Sequence, residues 1–295
     1  MAHFRQSKRK TAQFLSDLLN TPCCPAMTVK MQEVVSQALA TPHEDLRAAL
    51  SNERNVHMDE TPTKERNGKA WMWVAATARF AVFAIFSSRA ATAINHLLGE
   101  SFQGIVNCDR AKMYYRVKHL QWCWSHLIRD IQAMIDSGVP DRVFIGSKLS
   151  EQSKAMFENW HRYKNKELSW EEFQAKTLPI TQKFQVLLFQ GGGSHDRKLR
   201  NQCLHLHAHH ENLWRFLCNE GTEPTNNTAE RALRGPVIYR KLSFGTQSES
   251  GSRFVERIFS VIETCRLQKR NAYEYLIDAV TANMSGKTPP NLLDP

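Results

Sequence analysis

Asn55-Val56-His57-Met58-Asp59 and Gly104-Ile105-Val106-Asn107-Cys108-Asp109 are two short apolar runs, and each closes on an aspartate. Both read as buried strands. A carboxylate at the C-terminal end of a buried strand lies at a sheet rim, where open α/β sheets bind their ligands. Two such carboxylates brought close raise each other's pKa unless a cation lies between them. The pair therefore points to a divalent cation held by oxygen ligands, the kind of site that serves phosphoryl transfer.

The residues around these runs supply an α/β order. After Asp59 a turn is expected over Thr63-Lys64-Glu65-Arg66-Asn67-Gly68-Lys69, ending in the hairpin signal Asn-Gly. Residues 70–77 and 80–86 read as two antiparallel strands, residues 90–98 as a helix. The strand ending at Asp109 follows, then a short helix near Tyr114 and a last strand through Leu120-Gln121-Trp122-Cys123. Three strands in a meander, then helix, strand, helix, strand, match a ribonuclease-H-like mixed sheet, in which the first and fourth strands lie side by side.

The flanks are helical. Residues 1–54 form an N-terminal helical segment, with Phe14, Leu15, Leu18 and Leu19 on one face, a break at Thr21-Pro22-Cys23-Cys24-Pro25, Thr28 as cap of a second helix reaching Leu39, and a third helix from Glu44 to Leu50. Half of a helix-turn-helix unit and a small packing module are both open readings of this segment. Residues 55–124 are the first part of the core, residues 125–218 an all-helical insertion, residues 219–285 the second part of the core, and residues 286–295 a flexible tail.

The net charge of +10 and a pI near 9.3 over 295 residues favour a polyanionic partner, nucleic acid foremost, with a merely soluble basic protein as the alternative. No apolar run reaches the ~20 residues of a membrane span, so no membrane partner is expected. Seven cysteines without framework spacing suit reduced thiols and a cytoplasmic location.

The third carboxylate is sought on a helix beside the first and fourth strands. Thr225-Asn226-Asn227-Thr228-Ala229-Glu230-Arg231-Ala232-Leu233-Arg234 has that form, with Asn226 or Asn227 as cap and Glu230 in the first turn. A merely stabilising first-turn acid fits the segment equally well. Glu60 rivals Asp59, but neighbours on a strand face opposite ways, so one of the two joins the cluster. Glu256 and Glu263 rival Glu230 and are expected instead to pair with Arg253, Arg257 and Arg266. Arg231, Arg234, Arg240, Lys241, Arg253 and Arg257, interleaved with Tyr239 and Phe244, form a basic stretch suited to DNA phosphates and splayed bases. Cys123 and His126 have metal-ligand spacing, with Cys203, His205, His207, His209 and His210 as the only second source, and zinc is not expected. Trp71, Trp73, Trp122 and Trp124 are expected in the core.

In this order and spacing, the stretches His57-Met58-Asp59-Glu60-Thr61, Trp71-Met72-Trp73-Val74, Cys108-Asp109-Arg110, Cys123-Trp124-Ser125-His126-Leu127-Ile128-Arg129-Asp130, Asn226 to Arg234, and Arg240-Lys241-Leu242-Ser243-Phe244-Gly245-Thr246-Gln247-Ser248 resemble the insertion sequence 66 family of DDE transposases. The resemblance implies a catalytic and metal-binding triad of Asp59, Asp109 and Glu230, using Mg2+ with Mn2+ as substitute. It implies DNA strand cleavage and strand transfer that move an insertion sequence, on transposon ends and target DNA. It also implies a dimer or larger assembly on DNA, accessory proteins of the same element, and a bacterial cytoplasm where the chain joins the nucleoid. His126 with Cys123 and Arg129 is implied to support catalysis or touch DNA. Family members carry further N-terminal sequence with a DNA-recognition module, so recognition of transposon ends by this chain alone is not expected. A ribonuclease-H-like nuclease without strand transfer and a catalytically silent DNA-binding descendant remain the alternatives.

Overall fold

A computed structural model describes residues 2, 4 and 6–293. The helices α1 (Lys8–Leu19), α2 (Pro25–Ala38) and α3 (Ala40–Ala49) precede the strands β1 (Asn55–Glu65), β2 (Gly68–Ala76) and β3 (Ala81–Phe86). Next come α4 (Thr92–Leu98), β4 (Ile105–Cys108) and β5 (Leu120–Trp122). Five helices follow: α5 (Trp124–Ile135), α6 (Pro140–Lys164), α7 (Trp170–Gly192), α8 (Arg197–Ala208) and α9 (Glu211–Cys218). The chain closes with α10 (Asn227–Ser243), α11 (Glu249–Leu267) and α12 (Ala272–Met284). Two compact units result: the first is Met1–Lys118 with Asn227–Pro295, the second His119–Asn226.

In the first unit the strands lie in the order β3-β2-β1-β4, with β1 antiparallel to β2 and parallel to β4. This is a mixed α/β sheet. The turn expected over residues 63–69 shrinks to Arg66 and Asn67, because β2 pairs with β1 without a break from His57↔Ala76 to Glu65↔Gly68. Arg66 takes the left-handed conformation, φ 54°, that such a tight hairpin requires. Pro62 fits inside β1 because β4 pairs only with residues 55–57 and leaves that flank of the strand open. Asp59 therefore sits in the middle of an 11-residue strand rather than at its end.

The edge strand β3 is closed by a helix. Its outward amides at Ala81, Phe83 and Ile85 donate to Thr264 Oγ1 (3.1 Å), Ser260 Oγ (2.8 Å) and Glu256 Oε1 (2.6 Å) on α11. Two strand residues advance about 6.6 Å and four helix residues about 6.0 Å, so acceptors four apart keep step with every second amide. An open row of amides would otherwise invite another strand. Ser260→Ala leaves the buried Phe83 amide without an acceptor and is expected to lower stability by about 1–3 kcal/mol in urea unfolding. An unchanged midpoint would show that this bond contributes nothing.

The N-terminal helices belong to the same body as the sheet. α2 packs on α11 and α12, and α3 packs on α11 and β3. α2 begins at Pro25, in the first-turn position that suits proline, and the Thr28 hydroxyl donates to Pro25 O (2.7 Å) rather than capping the helix. α3 starts at Ala40, a turn before the expected Glu44. The C-terminal stretch expected to be flexible is docked as far as it is described. Leu292 is 2% exposed, Gln268 donates to Leu292 O (2.6 Å), and Tyr275 donates to Pro290 O (2.9 Å). One apolar anchor and spare carbonyls suffice to hold it. Residues 294 and 295 lie outside the described residues.

In the second unit every described element after β5 is a helix. Its core is aromatic: Trp124 meets Trp214 at 4.7 Å and Phe184 at 5.4 Å, and Trp160 meets Phe173 at 5.6 Å and Phe216 at 5.8 Å between ring centroids. The fully buried Gln121 stitches β5 to α9 by accepting from Phe216 N (2.8 Å) and donating to Leu213 O (3.1 Å). Trp73, Trp122 and Trp124 are core residues as expected. Trp71 is not: it is half-buried, with Lys69 and Arg89 each about 5 Å from its ring. Among the described residues no helix is long and apolar enough to cross a membrane.

Candidate active site

The last registered pair between β1 and β4 is His57↔Asn107. Two residues further along the chain stand Asp59, within β1, and Asp109, one residue past the end of β4. Asp59 shares the His57 face of β1, since side chains two apart on a strand share a face, and Asp109 lies close enough for its charge to act on Asp59. Asn107 Nδ2 donates to His57 Nε2 (3.3 Å), and each member of this buried pair stands two residues before one of the aspartates in sequence. Sequence reasoning misses His57 and Asn107. The signal lies in their position, two residues ahead of each aspartate, but their mutual contact depends on the register.

Glu230 lies in the first turn of α10, and α10 packs on β1 and β2. Burial pushes the Asp59 carboxyl up to about 7, with the charges of Glu60, Asp109 and Glu230 adding to the rise and the Glu60 amide opposing it. Asp59 Oδ1 accepts from that amide (2.9 Å), and Asp109 Oδ1 accepts from Ala111 N (2.8 Å), which folds the chain sharply after β4. All three carboxylates are half-buried. The arrangement is a set of hard oxygen donors that repel one another.

Glu60 takes the opposite face. Tyr114 donates its hydroxyl to Glu60 Oε2 (2.6 Å), and Arg89 Nε donates to Oε1 (2.7 Å). With a side chain 1% exposed, Glu60 is a buried carboxylate already supplied with partners. Sequence reasoning finds neither partner, since each comes from a distant segment. Glu263 pairs with Arg266 and Glu256 with Arg253 (3.0 Å), as expected for both acids. Glu256 does more than pair, since it is buried against β3 and burial pushes it up to about 7.

The basic stretch divides into two sets. Arg231, Arg234 and Lys241 are exposed along α10. Arg240 Nη1 instead donates to Thr61 Oγ1 (2.9 Å) and Pro62 O, Arg253 is held by Glu256, and Arg257 Nη1 donates to Ser36 O (2.9 Å). Arg257 thus braces α2 rather than pairing with an acid. Tyr239 packs edge-on against Phe259 at 5.6 Å. Lys64, Arg66 and Lys69, on the β1–β2 hairpin, are exposed and make no ion pair among the described residues. The net charge is equally uneven: the first unit holds 26 Lys and Arg against 17 Asp and Glu, the second 13 against 12.

In the second unit Cys123 is buried just ahead of α5, and its Sγ accepts from Asn226 N (3.2 Å). His126 lies in the first turn of α5 and Arg129 is exposed further along. Cys203, His205, His207, His209 and His210 do not gather their ligand atoms at one point. His205 stacks on Trp122 at 5.5 Å and His209 leans on the same ring, which gives this run a packing role.

The profile of the family described as "Transposase IS66 family" matches residues 8–253. The chain belongs to that family. It is also similar to two proteins of Sinorhizobium fredii (strain NBRC 101917 / NGR234), the uncharacterized proteins y4qI and y4jD. Identity to y4qI is 25% over 266 residues, 78% of this chain and 48% of the relative. Identity to y4jD is 25% over 281 residues, 85% of this chain and 54% of the relative. This IS66-family chain spans about half the length of the curated relatives it matches.

Proposed function

We propose that this chain is a ribonuclease-H-like catalytic core that cuts and joins DNA strands with the DDE carboxylates Asp59, Asp109 and Glu230. The observation that carries the reading is the gathering of acids at Asp59 in β1, where Asp109, just past the end of the parallel neighbour β4, and Glu230, on the helix packed against β1, both act on its carboxyl. The strand order β3-β2-β1-β4 is the one that places the first and fourth strands side by side.

The donor set fits Mg2+, with Mn2+ as substitute. Three carboxylates offer only hard oxygen atoms, and the upward push on Asp59 comes from burial first, with the charges of Glu60, Asp109 and Glu230 adding to it. When bound, such ions lower the pKa of an attacking water or 3′-hydroxyl and neutralise the leaving oxygen. Asp59, Asp109 and Glu230 would hold them. The His57–Asn107 pair keeps the strands in register beneath, and the Glu60–Tyr114 bond fixes the bend after Asp109.

DNA is the substrate, as transposon ends and target. The exposed Arg231, Arg234 and Lys241 run along the helix that carries Glu230 and so lead phosphates toward the carboxylates. Assembly as a dimer on DNA, with accessory proteins of the element, in a bacterial cytoplasm, completes the reading. The test is Mg2+- or Mn2+-dependent nicking and joining of element-end duplexes by this chain and by Asp109→Asn. Nicking without joining would favour a nuclease. Metal-dependent nicking retained in Asp109→Asn would end the proposal.

Phosphate contact also has a salt signature. Each contact contributes about 0.9 to the log–log slope of affinity against salt. Arg234→Ala with Lys241→Ala is expected to reduce the slope by about 2, read by fluorescence anisotropy from 50 to 200 mM salt. An unchanged slope would remove both residues from the DNA path.

A further inference from the structure

The end of α10 holds an aromatic side chain in solvent on a strained but well-anchored backbone. Phe244 has φ 59° and is 79% exposed, and Gly245 follows with φ 97°. A bulky residue rarely adopts a left-handed conformation, and it persists only where the surroundings over-determine it. They do so here. Phe244 N donates to Arg240 O (2.8 Å), and Thr246 N to Lys64 O (2.9 Å). Arg66 N donates back to Thr246 O (2.7 Å), so the turn is stitched to the β1–β2 hairpin. Thr246 Oγ1 meets Ser252 Oγ at 2.7 Å on the other side. Gly245 is required, since a Cβ there would lie 2.5 Å from Lys64 O.

Beside the ring is an open cleft of about 270 Å3 lined by Pro62, Thr63, Lys64, Arg240 and Phe244. It has two flat apolar walls, Phe244 and Pro62, and two cations at its rim. Arg240 is pinned through Nη1 to Thr61 and Pro62, which leaves its remaining guanidinium donors for a phosphate. Lys64 makes no ion pair among the described residues. A flat hydrophobic slot with adjacent cations is complementary to one nucleotide, a π-face with its phosphate, and to little else of biological size.

We propose that this cleft takes one unstacked base of the bound DNA strand, stacked on Phe244, with Lys64 and Arg240 on its phosphate. The inference rests on the DNA strand-transfer reading and deepens it by naming a base-holding site away from the carboxylates. Fourteen helical residues separate Glu230 from Phe244, about 21 Å along α10. Five strand residues separate Asp59 from Lys64, about 17 Å along β1. At 3.4 Å per nucleotide, the captured base lies about five or six nucleotides from the scissile phosphate.

The test uses duplex DNA of arbitrary sequence in buffer without divalent metal, so that cleavage plays no part. One duplex is fully paired and the other carries a single unpaired 2-aminopurine. The whole chain is expected to bind the second about tenfold more tightly, the scale of one base stacked on an aromatic side chain, and to change its fluorescence. Phe244→Ala should abolish both effects and Phe244→Trp should keep them. Because Phe244 is exposed, its loss leaves the core unaltered, and thermal melting verifies this. Equal binding of the two duplexes by the wild-type chain overturns the slot and leaves the strand-transfer reading standing. So does a preference that survives in Phe244→Ala. Failure to bind either duplex overturns both.

Discussion

Asp59→Asn, Asp109→Asn and Glu230→Gln are each expected to lower metal-dependent DNA cleavage by ~10³-fold or more, about 4 kcal/mol of barrier. The amides keep the shape of the acids and remove the charge that a divalent ion needs. Asp59 comes from β1, Asp109 from the chain just past β4 and Glu230 from α10, so each of the three is supplied by a different element. Glu60 is the nearest other acid, but its oxygens are held by Tyr114 and Arg89 on the opposite face. DNA affinity in metal-free buffer should rise slightly in all three variants, because each removes a negative charge close to the phosphates. A variant that retains more than a tenth of the activity would exclude that residue from the triad.

The same substitution at Asp59 should stabilise the protein. An acid whose pKa is higher in the folded chain than in the unfolded one holds its proton more tightly when folded. Asp59 moves from 3.8 to about 7, and Glu256 from 4.5 to about 7, both through burial first. Between about pH 4 and pH 7 the folded chain keeps protons that the unfolded chain has released. Stability from these groups therefore falls as pH rises through that window and levels off above it. The ceiling for Asp59 is on the order of 4 kcal/mol at pH 8, at 1.36 kcal/mol per pKa unit, and relaxation and water entry reduce it. Asp59→Asn is expected to gain about 2 kcal/mol at pH 8, a rise of about 3 °C in melting temperature for a chain of this size. Mg2+ should raise the melting temperature of the wild-type chain and leave that of Asp59→Asn nearly unchanged. A variant no more stable than wild type at pH 8 would contradict the idea of a carboxylate held at a cost by burial and by neighbouring acids.

The part of the site built from local pattern is legible in the amino-acid sequence. The alternation in residues 70–77 and 80–86, the Asn67-Gly68 signal and the two apolar runs lead to the mixed sheet, because period and turn chemistry act over a few residues. The helical periodicity of residues 125–218 likewise matches helices α5 to α9. What stays hidden depends on partners far along the chain. β1 runs on to Glu65 because β2 completes it, although Pro62, Lys64 and Glu65 look like a turn. Arg240, Arg253 and Arg257 read as one basic stretch, yet acceptors on β1, on α11 itself and on α2 bind them. Tyr114 and Arg89 meet Glu60 across many residues of sequence. A single Leu292 is enough to dock a tail whose composition suggests fraying.

The three bonds between α11 and the edge of β3 also act as a key. Sliding α11 by one residue would move it about 1.5 Å and turn it about 100°, and Glu256, Ser260 and Thr264 would all miss their amides together. The helix can therefore seat in one axial position only. Ser248 caps α11, and the turn bearing Phe244 is tied to Ser252 through Thr246, so the same seating sets where that turn meets the β1–β2 hairpin. Length changes in the short connection between α10 and α11 should consequently be among the least tolerated in the chain, even though that connection is exposed. Drift there would shift Phe244 against the Pro62 and Lys64 side of the cleft, the fit that an unstacked base has to match.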